Sequence, residues 1–243
     1  MKKVFFALIL IIFNINFCLA NDDLSVYEEE CKSVIDKPKV KFFSSYGKLT
    51  YDFSKDEDFL RKEMEKKLIA KNMEMVEGFH PAGITNVRDN FEVKMNVGEI
   101  TVSKGYRCFY PEYIEVYLGY SFPVIYISKN LEKGSCMYDI TMRHERTHMQ
   151  MFIEALDEVL PKIKKLVRQL YDKVGVKIAK PSQESKVVAE QLRDEYVKVV
   201  EDRVNQWREE VEAEQSKLDS IEHYIMENRI CEDVEEYFKE RSN

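Results

Sequence analysis

Hydrophobic residues dominate the middle of the chain, where Val, Ile, Tyr and Phe recur in short runs between residues 91 and 128. Glycines and prolines separate these runs, as is typical of strands joined by turns. An earlier segment, Val40 to Ser54, alternates in part around Tyr46-Gly47-Lys48 and predicts a β-hairpin. The S-x-x-E spacing of Ser54 and Glu57 then predicts a capped helix that ends before Gly78. The later runs predict a small sheet with strands at Phe91–Met95, Ile100–Val102, Tyr113–Leu118 and Val124–Ile127.

A second helix is predicted immediately after this sheet. Ser135 is the expected N-cap, and Asp139 places negative charge in the first turn, where it complements the helix dipole. The helix is expected to reach about Leu160. Pro161 then kinks it or begins a further helix that continues to Leu170.

A long charged helix is predicted from Ser182 to about Asn228. Its apolar residues recur three and four positions apart, which is the spacing of a coiled-coil seam, and Glu214 interrupts the seam. We expect this seam to pack on the preceding helix as an antiparallel hairpin that turns near Ile178. The seam residues are Val197, Val200, Val204, Trp207, Val211, Leu218, Ile221 and Ile225.

The predicted fold class is therefore α+β, a small antiparallel or mixed sheet followed by a long antiparallel helical hairpin. We expect a strand-rich part at residues 21–133 and a helical part at residues 134–243, together forming one domain. The 243 residues, 44% of them hydrophobic, are enough for a sizeable core.

The first 20 residues have the features of a secretory signal peptide. Met1-Lys2-Lys3 is followed by an apolar run from Val4 to Phe13, and small Ala20 precedes an acidic stretch. Cleavage after Ala20 is expected. An uncleaved membrane anchor and a lipid attached at Cys18 are the alternatives.

Export and charge restrict the partners. Removing Lys2 and Lys3, the only charged residues before Asn21, changes the formal net charge from −7 to −9. An acidic chain is poorly suited to nucleic acid or to an anionic membrane surface. We expect a secreted or periplasmic protein with no stable membrane insertion after cleavage.

Four cysteines remain after cleavage, an even number in an exported chain, which predicts two disulfide bonds with three possible connectivities. We favour Cys136 with Cys231, because one precedes a helix and the other follows the helix expected to pack on it. Cys31 then pairs with Cys108. Free buried thiols are the alternative.

The sequence His144-Glu145-Arg146-Thr147-His148 contains two of the four histidines in the chain. On a helix, residues four apart share one face, so both imidazoles can bind one ion. This is the H-E-x-x-H pattern, in which two imidazoles hold Zn2+ and the carboxylate accepts a proton from water. The alternative is a charged helix that happens to carry two histidines.

A third zinc ligand must come from elsewhere in the chain. Glu214 is the leading candidate, because an acid in the apolar seam of a helix packed on the motif helix is costly unless it has a partner. The alternative is a partly exposed Glu214 at a point where the seam weakens. Asp219, Glu222 and His223 are its competitors, and His80 lies in a predicted loop.

With this motif on a helix after a β-region, the chain resembles secreted zinc metallopeptidases of the zincin type. The resemblance implies zinc on His144 and His148, Glu145 as general base, and a peptide or protein substrate in a cleft lined by an edge strand. Met151 and Glu154 stand where the metzincin extension has Gly and His, so the gluzincin-like arrangement fits better. The segment is also similar to predicted secreted Zn-dependent proteases of bacteria.

The competing hypothesis is a non-enzymatic envelope or secreted protein in which the helical hairpin makes protein contacts. In that case the zinc site is structural or a relic. A seam of this length must be buried on something, so a homodimer through the long helix is also possible.

Overall fold

A computed structural model describes residues 24–70 and 81–241, so the predicted signal peptide and His80 lie outside the described residues. No described helix combines the length and the apolar composition that a membrane span requires. The elements, in chain order, are α1 (Leu24–Val34), β1 (Lys39–Phe43), β2 (Thr50–Asp52), α2 (Glu57–Ala70), β3 (Gly83–Thr101), β4 (Arg107–Ile127), α3 (Cys136–Val174), β5 (Lys177–Ala179), α4 (Ser185–Leu218) and α5 (Ile221–Arg241).

The sheet is built around a long antiparallel hairpin of β3 and β4. The prediction of four short strands is wrong, because most of the glycines and prolines lie inside strands instead of ending them. Gly98 faces the ring of Tyr110, where a Cβ would lie 2.5 Å from Cζ, and only Gly105 lies in the turn, with φ +74°. The pairing of β3 with β4 changes register at two places, after Asn86 and after Asn96.

β3 pairs with β4 along one edge of β4. Along β4 from its start to its end, β5 pairs with residues 107–109, β1 with residues 113–117 and β2 with residues 124–126. Both β1 and β2 run parallel to β4, so the predicted hairpin between them is wrong. The segment between them continues alongside β4 instead of turning back, since Tyr120 N donates to Ser45 O at 2.7 Å between the two pairings. The mixed five-stranded sheet with its helices confirms the α+β fold class.

The N-terminus of α2 is capped two residues later than the capping box predicts. Asp56 Oδ1 accepts from Phe59 N at 3.0 Å, which is the N-cap interaction. Ser54 instead bonds Asp52, with N and Oγ at 2.8 and 2.6 Å from Oδ1. Asp52 thus forms a local turn with Ser54 and leaves the cap to Asp56.

α3 and α4 form the predicted antiparallel hairpin. Ser135 caps α3 by accepting a hydrogen bond from Tyr138 N at 3.2 Å. The helix is 39 residues long and Pro161 lies inside it. Trp207 Nε1 donates to Ala155 O at 3.1 Å across the hairpin. The α4 seam is buried inside the chain against α3 and the sheet, in one core that includes Val116, Leu118, Leu156, Ile163, Val200 and Val204.

The long helix predicted from Ser182 is two helices. α4 ends at Leu218 and α5 begins at Ile221, so Asp219 and Ser220 form the junction. Asp219 is the C-cap of α4, and its N–H donates to Gln215 O at 3.3 Å. This break changes the direction of the chain next to the motif helix.

Candidate metal centre

Three ligand atoms from α3 and from the α4–α5 junction converge at one point. His144 Nε2 and His148 Nε2 lie 3.2 and 2.8 Å from Asp219 Oδ1. The two Nε2 atoms are 3.1 Å apart. Both imidazoles are buried, whereas 43% of the Asp219 side chain is exposed, so solvent reaches the site from the Asp219 side.

The other nitrogen of each imidazole contacts an acceptor. His144 Nδ1 lies 2.9 Å from Glu227 Oε2, and His148 Nδ1 contacts Gln215 Oε1. The Gln215 amide also donates to His148 O at 3.2 Å, which fixes which end of the amide faces the ring. Since the oxygens of Glu227 and Gln215 are acceptors, both Nδ1 atoms carry the hydrogen and each neutral ring has its lone pair on Nε2.

Three acceptor atoms this close together repel one another unless positive charge lies between them. Burial favours a lower pKa for both His144 and His148, but Asp219 and Glu145 outweigh it, so both imidazole pKa values are raised. Burial likewise favours a higher pKa for Asp219, but the two imidazoles beside it, when protonated, bring that pKa well below the ordinary range. A proton shared by the imidazoles or a bound metal ion would each supply positive charge at this point.

The donor set fits zinc. Tetrahedral zinc with ligands at about 2.0–2.2 Å has its ligand atoms about 3.3–3.6 Å apart. The three separations here, 3.2, 3.1 and 2.8 Å, are slightly shorter, so the atoms would move apart by a few tenths of an ångström around an ion. Two histidines and a carboxylate form a set of three protein ligands that leaves a fourth position free, as in catalytic zinc sites. The Nδ1 contacts resemble the outer hydrogen bonds that fix the orientation of imidazoles in zinc sites.

Glu145 is buried beside this centre and is held by β3. The Thr85 hydroxyl lies 2.8 Å from both Oε2 and the main-chain oxygen of Glu145. Gly83 leaves room for the carboxylate, because a Cβ there would lie 2.8 Å from Glu145 Cγ and Oε1. Burial raises the pKa of Glu145, and the neighbouring His148 and His144 only partly oppose the rise.

α5 packs against the ring of His144 through Tyr224. The rings of Tyr224 and His144 stack with centroids 5.0 Å apart, and the Tyr224 hydroxyl lies 3.2 Å from Asp219 Oδ1. Burial raises the pKa of Tyr224, so its hydroxyl remains protonated and donates hydrogen bonds. Sequence reasoning missed this tyrosine.

His144, His223 and Glu227 form a second group whose ligand atoms lie within 4.8 Å of one another. Glu227 bridges the two histidines here, with Oε1 3.5 Å from His223 Nε2. This group faces Nδ1 of His144, whereas the Asp219 group faces Nε2. A neutral imidazole has one lone-pair nitrogen, so the two groups cannot both use His144 at once.

The structure does not bring Glu214, the predicted third ligand, to the two histidines. The Glu214 side chain is 60% exposed, and its Oε1 lies 2.5 Å from Lys217 Nζ. Asp219, one of the competitors, is the acid that meets both imidazoles. Glu222, another competitor, is exposed.

The error lies in the register of the hairpin. A turn centred near Ile178 predicts that His148 faces residue 208, but it faces Gln215, seven residues and about two turns later. The connection contains β5, which pairs with β4, so the chain does not turn tightly there. Gln215 rather than Glu214 therefore lies in the seam.

The cysteines pair as predicted. Cys31 and Cys108 lie at disulfide distance with Cα atoms 5.9 Å apart, and Cys136 and Cys231 do so with Cα atoms 5.5 Å apart. The first pair joins α1 to β4. The second pair joins the start of α3 to α5, close to the metal centre.

Comparisons with known proteins add no functional information about this chain. No protein-family model, curated protein or solved structure matches it. The functional argument therefore depends on the geometry of the candidate centre and on the chemistry of its residues.

Proposed function

We propose that this protein is an exported zinc-dependent hydrolase, an endopeptidase in which Glu145 is the general base. The observation that carries the proposal is the convergence of His144 Nε2, His148 Nε2 and Asp219 Oδ1 within 3.2 Å of one another. Glu145, a buried carboxylate held by Thr85, lies next to these ligands on α3. Ligands, base and fixed imidazole orientations are the components of metal-assisted peptide hydrolysis.

Zinc bound at this centre would lower the pKa of a water molecule to about 7 and polarise the substrate carbonyl. Glu145 accepts the proton of the attacking water and then donates it to the leaving amine. Thr85 and Gly83 hold the Glu145 carboxylate for this transfer. The Tyr224 hydroxyl, which donates to Asp219 Oδ1, would stabilise negative charge on the carbonyl oxygen if it turned from Asp219 to the substrate.

Export is part of the proposal. Two cysteine pairs at disulfide distance and the absence of a membrane-spanning helix among the described residues are compatible with a secreted or periplasmic protein. N-terminal sequencing of the mature chain tests it, and we expect the first residue to be Asn21. A mature chain that still begins at Met1 would contradict cleavage.

The test of catalysis is Glu145→Gln, which removes the base and keeps the shape of the side chain. We expect peptide hydrolysis to fall by about 10²–10⁴-fold, the usual contribution of a general base. Zinc content should be retained, because Glu145 is not a ligand in this proposal. The substrate is a peptide library of mixed sequence, read by mass spectrometry, which reports hydrolysis whatever the cleavage specificity.

Glu158→Gln is the matched control, because Glu158 is an exposed residue of the same helix. It should hydrolyse peptides like the unmodified protein. Full activity of Glu145→Gln would rule out the general-base role. Loss of zinc from Glu145→Gln would show that the substitution disturbs the centre itself.

A structural zinc site in a non-enzymatic interaction protein is the second candidate. One observation favours it: the ligands come from α3 and from the α4–α5 junction, so an ion would cross-link these helices. This candidate predicts that zinc raises the melting temperature and that the unmodified protein hydrolyses no peptide in the library.

A further inference from the structure

The described side chains of helix α5, at residues 222–232, include three groups at or next to the centre, from His223, Tyr224 and Glu227, but they bury little apolar surface. Among its side chains that the structure describes, only Glu227 and Cys231 are buried. Its large apolar side chains Ile225, Met226 and Ile230 are 49, 55 and 41% exposed. Because hydrophobic burial scales with the apolar area removed from water, the described side chains contribute little of it to holding this part of α5 in place.

The Cys136–Cys231 disulfide bond joins α5 to α3 close to the centre. Cys231 lies one turn after Glu227, on the same face of α5 and about 6 Å further along it. Cys136 lies in the first turn of α3, the helix that carries His144. The disulfide bond and the 2.9 Å contact between Glu227 and His144 are thus successive connections between the same two helices.

We propose that the Cys136–Cys231 disulfide bond is a positioning element of the metal centre. It holds α5 so that Glu227 keeps the hydrogen on Nδ1 of His144 and Tyr224 stays stacked on the same ring. This inference rests on the zinc centre of the proposed function, but not on its catalytic activity. It predicts that the centre reaches full zinc affinity only after this disulfide bond has formed.

The test compares two pairs of substitutions. Cys136→Ser with Cys231→Ser removes the bond next to the centre, and Cys31→Ser with Cys108→Ser is the matched control. The two bonds join residues separated by 95 and 77 positions, so they constrain the unfolded chain to a similar extent. Fluorescence of Trp207, the only tryptophan, reports whether the shared core is folded.

Zinc affinity is measured by competition with a chromophoric chelator. We expect the Cys136/Cys231 variant to bind zinc about 10–100-fold more weakly, the usual effect of losing an outer-shell partner. The control variant should keep its affinity within about threefold. Equal affinities of the two variants would overturn the proposal, whether or not the protein hydrolyses peptides.

Glu227→Gln separates positioning from general stabilisation. With the disulfide bond intact, we expect this substitution to weaken zinc binding about 10–100-fold. In the Cys136/Cys231 variant it should have less than about a threefold further effect, because Glu227 has already lost its position. Independent, multiplying effects would overturn the proposal, and so would an unchanged affinity of Glu227→Gln in the disulfide-bonded protein. An unmodified protein that binds zinc tightly but hydrolyses nothing would refute the endopeptidase and leave this inference standing.

Discussion

Asp219→Asn removes the negative charge of the third ligand while keeping its shape. Among the described residues, Asp219 Oδ1 is the carboxylate oxygen in contact with both Nε2 atoms, at 3.2 and 2.8 Å, so the substitution would act directly on an ion bound there. Loss of an outer-shell partner alone costs about 10–100-fold in metal affinity. We therefore expect at least about a 100-fold weaker affinity for zinc, or about 2.7 kcal/mol of binding free energy.

The assay is competition with a chelator of known zinc affinity, at constant pH and salt. Glu214→Gln is the matched control, because it removes a carboxylate that is paired with Lys217 on the surface of the same helix. Its zinc affinity should be unchanged. If Asp219→Asn bound zinc as tightly as the unmodified protein, or if Glu214→Gln showed the larger loss, the assignment of the third ligand would be wrong.

Three further predictions concern the base, the core and the effect of pH. Gly83→Ala should lower peptide hydrolysis more than tenfold, because the new Cβ would displace the Glu145 carboxylate. Its zinc affinity should stay within about threefold of that of the unmodified protein. Full hydrolytic activity would contradict this prediction. Leu156→Ala should lower the free energy of unfolding in urea by about 2–5 kcal/mol, because Leu156 is fully buried, and a loss below about 1 kcal/mol would contradict this. Zinc affinity should fall by up to about 100-fold per pH unit on acidification, because His144 and His148 must both lose a proton to bind zinc. Their raised pKa values mean that the affinity begins to fall at a higher pH than it would for ordinary histidines. An affinity that does not depend on pH would contradict this prediction.

Local signals predicted the start of α3 and the buried face of α4. Ser135 caps α3 as expected, and the apolar spacing of α4 describes a buried seam, because both depend on neighbours within one or two helical turns. The sheet was harder to predict. Gly98 accommodates the Tyr110 ring and Gly119 the backbone of Ser45, so residues that normally end a strand serve its interior packing.

The site shows the same division between local and distant information. His144, Glu145 and His148 lie within five residues of one another, so their arrangement follows from helix geometry alone. Asp219 meets them through the register of a hairpin and a break in a helix. Neither is encoded by local spacing, since the register depends on β5 pairing with β4 and the break lies within an otherwise helical pattern.

The residues around the ligands also depend on tertiary contacts. Gln215, Glu227 and Thr85 come from three different elements, and each resembles an ordinary surface residue in the sequence. The pairing of Cys136 with Cys231 was predictable because it needs only the order of the helices in the hairpin, which does not depend on its register.

X-ray absorption at the zinc K edge of the unmodified protein tests the metal centre most directly. We predict a four-coordinate ion with two imidazole nitrogens from His144 and His148, and oxygens at about 2.0–2.2 Å from Asp219 and water. Failure to bind zinc, or sulfur ligands at about 2.3 Å, would contradict the centre. A fourth ligand from the protein in place of water would contradict catalysis and favour the structural role.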